Sequence, residues 1–253
     1  MIWLKPSKRF FHHVHGIDHL HPHDDDILNA SKNRQISIGK KVLDVNQGNA
    51  NINRQLFAEK GIFVLNIMSS PGSGKTTTLE KTLNILKNDI QCAVIVGDIC
   101  TTNDADRLSV SGMPAIQINT DAFGGDCHLT AHEVKHALNN LNLDALDLLI
   151  IENVGNLVCP AEFDIGEDAR AVILSVTEGE DKPLKYPLMF RESHIALLNK
   201  IDLLPYLDFD LEKAKENISR IHPDMKIIDI SAKTMDGFDL WISWIKEQVL
   251  SKK

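Results

Sequence analysis

Seven short apolar runs separated by helical patterns limit this chain more than any other feature. The runs are Ile62–Met68, Ala93–Val96, Ala115–Ile118, Leu146–Ile151, Ala171–Val176, His194–Leu198 and Lys226–Ile230. They are continuous rather than alternating, as expected of strands buried on both faces. Helical spacing marks the segments between them: Lys75–Asn88, Thr102–Ser111, Thr130–Asn142, Pro187–Glu192, Leu211–Arg220 and Phe238–Leu250. This alternation predicts an α/β fold, a mostly parallel open sheet of about seven strands with helices on both faces.

The expected divisions are three. Residues 1–25 are polar and His-rich and bury no periodic apolar face, so they read as a flexible arm. In residues 26–60, Ile38, Val42, Val45, Ile52, Leu56 and Phe57 recur at three- to four-residue steps. That pattern predicts one or two amphipathic helices with a break near Gly48 and a stop at Gly61. Residues 61–253 then form the α/β domain.

The first apolar run leads into Ser69-Ser70-Pro71-Gly72-Ser73-Gly74-Lys75-Thr76-Thr77. This matches the P-loop pattern GxxxxGK[ST] except for Ser69 at the leading position. Successive backbone N–H groups of such a loop curl around a β-phosphate, and the following helix adds the positive end of its dipole. Lys75 would bridge the β- and γ-phosphates, and the Thr76 hydroxyl would ligate Mg2+.

The base is chosen elsewhere. Asn199-Lys200-Ile201-Asp202 follows the sixth run, and Ser231-Ala232-Lys233 follows the seventh. An Asp202 carboxylate there accepts from both the N1–H and the 2-amino group of guanine; adenine offers neither donor. Asn199 and the Lys200 stem would hold the base from its other edge and face. The Ser231–Lys233 loop would support the guanine O6 through backbone N–H groups. Together these predict GTP.

Two strand ends carry acids on the phosphate side. Val96-Gly97-Asp98 makes Asp98 a candidate Mg2+ partner, with Asp104 and Asp106 as weaker ones that also fit first-turn dipole complementation. Glu152-Asn153-Val154-Gly155 stands where a DxxG element would, so Gly155 would offer its N–H to the γ-phosphate and Glu152 would position Mg2+ or its water. For Asp98 and Glu152 the alternative is a solvated carboxylate at a strand end.

A soft donor set is also present: Cys127 and His128 in Gly124-Gly125-Asp126-Cys127-His128-Leu129, and Cys159 in Leu157-Val158-Cys159-Pro160. Two thiolates and an imidazole suit Zn2+ or Ni2+, with one position left open. The spacing is not a closed zinc-finger pattern, so ordinary buried thiols are the competing reading. Cys159 lies four residues beyond Gly155, which would tie a metal there to the γ-phosphate sensor. Cys92 reads as core, and Cys100 is undecided.

These segments resemble the HypB-type nickel-insertion GTPases of [NiFe]-hydrogenase maturation, SIMIBI-class P-loop proteins in the HypB/UreG family. The similarity runs from Ile36 to Lys253, on the phosphate loop, Val96–Asp98, Gly125–Leu129, Glu152–Pro160 and Asn199–Asp202. The resemblance implies that Cys127, His128 and Cys159 hold zinc or nickel near a dimer interface, and that GTP favours the homodimer. It implies a nickel-delivery partner or a hydrogenase large-subunit precursor as the recipient. Ser at the first loop position and Glu in the DxxG element both fall within the family's pattern. The Cys-Pro-His motif of UreG-like proteins is absent, as is the amino-terminal CxxCGC nickel motif of some members. Six histidines, His12, His13, His15, His19, His21 and His23, resemble the nickel-storing stretches of others and imply weak Ni2+ binding. A solvated tail is the alternative.

Composition excludes other classes. The formal charge is −8, which argues against a nucleic-acid or membrane-surface binder. Residues 1–60 carry nine basic and six acidic groups and the remaining 193 carry 18 and 29, so anion binding in the domain must be local. No apolar run approaches about 18 residues, and the first ten residues give no secretory apolar core, so no membrane span or export is expected. Four cysteines are too few for a disulfide scaffold, which points to a reducing cytoplasm. Two alternatives to a GTP-driven nickel chaperone remain: a P-loop kinase acting on a small molecule, and a nickel-storage protein with a vestigial GTPase.

Overall fold

The computed structural model describes residues 24–98, 112–120 and 127–253, with side chains for 41–97, 112–120 and 127–253. Residues 1–23 of the histidine arm, the expected helix Thr102–Ser111, Cys100, Asp104, Asp106 and the Gly124–Asp126 segment lie outside the described residues, as does the side chain of Asp98, while the last two arm positions already belong to a helix.

All seven apolar runs form strands: β1 (Phe63–Ser69), β2 (Cys92–Asp98), β3 (Ala115–Asn119), β4 (Leu148–Glu152), β5 (Ala169–Ser175), β6 (Ile195–Asn199) and β7 (Lys226–Asp229). Every pairing is parallel, in the order β3-β2-β4-β1-β5-β6-β7. Because β1 lies between β4 and β5, with later strands laid out to either side, the sheet has its crevice outside the carboxyl end of β1.

Among the described residues the α-helices are α1 (Asp24–Lys60), α2 (Lys75–Leu86), α3 (Ala131–Leu138), α4 (Cys159–Glu162), α5 (Lys182–Lys185), α6 (Pro187–Arg191), α7 (Leu211–Ile221) and α8 (Phe238–Lys252). Phe63, Leu65 and Ile67 of β1 pack on one face with Leu79 and Leu83 of α2 and Trp241 and Ile245 of α8. Val64 and the neighbouring Ala93 and Leu149 face the other way, with Phe57 of α1 and Val134 of α3. Burial on both faces is why the strands read as unbroken apolar runs. The short helices α4 and α5, of four residues each, give too little sequence for a period.

Helix α1 differs from expectation in two ways. It runs through Gly48 without a break. The roughly 1 kcal/mol cost of a helical glycine is small against the contacts that follow it. The buried stripe is also only partly the expected apolar one: Phe57 is buried, but Val42, Val45 and Ile52 are exposed, and Asn46, Ala50 and Asn53 are buried instead. The two asparagines are buried because their amides satisfy loop backbone. Asn46 accepts from Ala131 N at 2.9 Å and donates to the Asp164 carbonyl at 2.7 Å. Asn53 donates to the carbonyls of Ala131 and Ile165 at 2.8 and 3.0 Å. These residues belong to the compact unit Val42–Lys253, which carries the site.

Candidate nucleotide and metal site

The loop between β1 and α2 is built by two glycines in the left-handed region, Gly72 at φ 76° and Gly74 at φ 93°. Gly74 is also the N-cap of α2, so the helix begins at Lys75 with its N–H groups turned toward the loop. A Cβ on Gly74 would lie 2.5 Å from Asn199 Nδ2. Glycine therefore serves both the backbone angle and the approach of β6. Residues 69–77, Glu152, Gly155 and Lys200 line a cavity of about 540 Å3 over this loop.

The acids and cations expected around a nucleotide converge here. Lys75 donates through Nζ to the Asn153 carbonyl and lies 3.7 Å from Glu152 Oε1. Thr76 donates to the same Glu152 oxygen at 2.8 Å, so hydroxyl and buried carboxylate form one oxygen cluster suited to Mg2+. Asp98 ends β2, the strand beside β4, which places its backbone at the same sheet edge. Gly155 packs on Pro71, where a Cβ would be 3.4 Å from the ring, so the 152–155 turn rests on the phosphate loop.

The base side adjoins the loop. Asn199 donates to the Ser73 carbonyl at 2.8 Å and accepts from Lys200 N and Ala232 N at 2.8 and 3.3 Å. Lys200 takes a left-handed φ of 65° and reaches the Gly72 carbonyl at 2.6 Å, laying its stem across the loop. Asp202 accepts from the Ser231 hydroxyl at 2.6 Å, with Lys233 Nζ at 4.0 Å. Ser231 in turn accepts from Lys233 N and Thr234 N at 3.2 and 3.1 Å, ordering the backbone on which Ala232 stands. A second cavity, about 480 Å3, lies among Thr77, Lys200, Asp202 and Lys233.

The sulfur ligands also come together. Ligand atoms of Cys127, His128 and Cys159 lie within 4.8 Å of one another, and this is the only such group of three among the described residues. His128 packs its ring on Phe163 with centroids 3.7 Å apart. Cys127 and Cys159 are joined as a disulfide with Cα atoms 6.2 Å apart, where two thiolates were expected. The separation suits either state: it falls in the disulfide range of about 4.4–6.8 Å, and two reduced sulfurs so placed reach one ion. Each sulfur has only one role at a time, so the disulfide and the metal complex exclude each other. Cys92 is core, as its sequence position suggests, with burial first and then the charge of Asp147 pushing its thiol up to about 12.

Sequence reasoning missed two groups. Glu178 accepts from the Ser70 hydroxyl and from Ser175 N, the latter at 3.0 Å, bracing the phosphate loop from β5. Its only signal was a carboxylate just past a strand end. Asn153 was visible only as part of the 152–155 turn. A larger cavity, about 650 Å3, lies beside β3 and α3 and holds none of the phosphate-loop residues.

Fold and site together define a P-loop nucleotide-binding protein. Residues 63–229 match the family model of the CobW/HypB/UreG nucleotide-binding domain. The hydrogenase maturation factor HypB of Escherichia coli K12 is 51% identical over 218 residues, covering 86% of this chain and 74% of that protein. The crystal structure of HypB from Archaeoglobus fulgidus superposes with a TM-score of 0.76 at 39% identity, over 82% of this chain and 100% of that one. HypB from Helicobacter pylori, solved in complex with nickel, gives 0.76 at 38% identity, over 81% of this chain and 95% of that one. The chain belongs to the CobW/HypB/UreG family, among the HypB hydrogenase maturation factors. Among the described residues no helix is long and apolar enough to cross a membrane.

Proposed function

We propose that this chain is a GTP-hydrolysing nickel metallochaperone that helps insert nickel into a [NiFe]-hydrogenase precursor in the cytoplasm. Asp202 selects guanine, Asn199 and Lys200 tie the base site to the phosphate loop, and Lys75 neutralises charge on the transferring phosphoryl group. Thr76, Glu152 and Asp98 would hold Mg2+, which when bound would supply further charge neutralisation. Nickel, or zinc in its place, is cargo at reduced Cys127, His128 and Cys159. GTP closes a homodimer, and a nickel-delivery partner or the large-subunit precursor is the other party. The histidines at 12, 13, 15, 19, 21 and 23 add weak nickel sites. The residues 1–25, 26–60 and 61–253 act as arm, helical extension and GTPase domain.

The observation that carries this reading is the shared segment 152–159. Its first residue bonds Thr76 of the phosphate loop at 2.8 Å, and its last supplies a sulfur to the metal group. The nickel-bound relative from Helicobacter pylori supports the choice of cargo. Nickel titration of the reduced protein, with GDP and then with a non-hydrolysable GTP analogue, tests the reading. It expects affinities that differ by at least about fivefold. Equal affinities would overturn it.

A further inference from the structure

Asn153 is wholly buried and stands where the nucleotide site and the metal group meet. Its carbonyl accepts from Lys75 Nζ. Its own N–H, in the peptide before it, is held by the Ile67 carbonyl of β1 at 3.0 Å, whereas the carbonyl that Lys75 reaches belongs to the peptide after it. The side-chain oxygen accepts from Leu129 N at 3.1 Å and from Val154 N at 3.0 Å. Leu129 directly follows Cys127 and His128, and its side chain packs over Gly97, where a Cβ would approach it to 2.8 Å. The same leucine is thus held between β2, which ends at Asp98, and Asn153.

The other end of the Asn153 amide leads to Cys159. Nδ2 donates to Asn66 Oδ1 at 3.3 Å, and Asn66 Nδ2 donates to Glu167 Oε1 at 3.1 Å. That carboxylate oxygen also takes Arg170 Nε at 2.6 Å. Arg170 then donates to the Ala161 and Phe163 carbonyls at 3.0 and 3.3 Å. Ala161 is in α4, whose first residue is Cys159, and Phe163 carries the His128 ring. Every side chain in this chain of bonds is buried, so each lost partner is costly.

We infer that Asn153 is a positioning residue that transmits the state of Lys75 to the metal group, through Leu129 on the Cys127–His128 side and through Asn66, Glu167 and Arg170 on the Cys159 side. The inference deepens the proposed function and rests on it. A nucleotide whose β- and γ-phosphates draw the Lys75 ammonium alters its bond to the Asn153 carbonyl. The side chain of that residue is fastened at both ends to ligand-bearing segments. A shift of the peptide therefore changes the separation of Cys127 and His128 from Cys159, and so the grip on a metal ion. Asn153 touches neither nucleotide nor metal in this account.

The test uses the full-length, reduced protein. Nickel binding is followed by sulfur-to-nickel charge-transfer absorption, to which the arm's histidines do not contribute. Affinities with GDP and with a non-hydrolysable GTP analogue give a coupling ratio. In wild type the ratio is at least about fivefold. In Asn153→Ala it falls to within about twofold of unity, while GDP affinity stays within about threefold of wild type. Where the alanine variant does not fold, Arg170→Lys keeps a positive charge beside Glu167 but gives up the fork to the Ala161 and Phe163 carbonyls, and it loses most of the ratio. A merely structural asparagine would lower thermal stability and leave the ratio intact, so a wild-type ratio in a folded variant overturns the inference alone. A wild-type protein with no coupling overturns the proposed function and this inference together.

Discussion

Asn199, the first residue of the base loop, donates its side-chain amide to the Ser73 carbonyl of the phosphate loop at 2.8 Å. Its side-chain oxygen holds Ala232 N at 3.3 Å on the far side of the base cavity. One buried side chain thus joins three loops. Asn199→Ala strands a buried carbonyl and a buried N–H, each worth about 1–3 kcal/mol. GDP affinity should fall by about tenfold or more by calorimetry. An unchanged affinity would show that the loops order without it.

Asp202 already accepts from Ser231 at 2.6 Å, which fixes the carboxylate plane against the base cavity. Asp202→Asn replaces an acceptor with a donor opposite two guanine donors. GTP affinity should drop by about 100-fold, and xanthosine triphosphate, which presents a carbonyl at that edge, should gain. Competition between the two nucleotides reads the exchange, and retained guanine preference would remove Asp202 from the base site.

The Cys127–Cys159 pairing makes metal binding depend on reduction. Protein treated with a thiol oxidant should show no sulfur-to-nickel absorption, and a phosphine reductant should restore it, because only thiolates ligate. Cys159→Ser should weaken the absorption to that of the single Cys127 thiolate and remove its dependence on this disulfide. Equal absorption before and after reduction would place the metal elsewhere.

The sheet and the nucleotide loops were legible for opposite reasons from the rest. Strands buried on both faces leave continuous apolar runs, and phosphate and base loops are contiguous motifs whose chemistry is local. Of the buried stripe of α1 the apolar spacing reported Phe57 but not Asn46 and Asn53, polar residues buried to satisfy loop backbone far along the chain. The Asn66–Glu167 bond joins positions 101 apart in sequence, and no spacing rule reports it. The soft donors were readable as chemistry, but their closure into a disulfide depends on two loops that only the fold brings together.

Arg54 and Asp164 tie α1 to the loop after α4, with both carboxylate oxygens 2.7 Å from one guanidinium nitrogen. Burial alone would raise the Asp164 pKa; hydrogen bonds from Arg54, Gly166 N and Gln47 outweigh it and hold the carboxyl down to about 2. Because the folded value lies below the unfolded one of about 3.9, the unfolded chain binds the proton first as pH falls. The pair's contribution is therefore complete above about pH 5, fades between about pH 4 and 2, and is gone below both values. Asp164→Asn removes it at every pH. Thermal unfolding should show wild type ahead of the variant by a few degrees at pH 7, with the gap narrowing as the buffer is taken from pH 5 to 2.5. Groups common to both proteins cancel in that difference. A gap that stayed constant across this range would mean that the charge on Asp164 adds nothing to the hold of α1 on the loop.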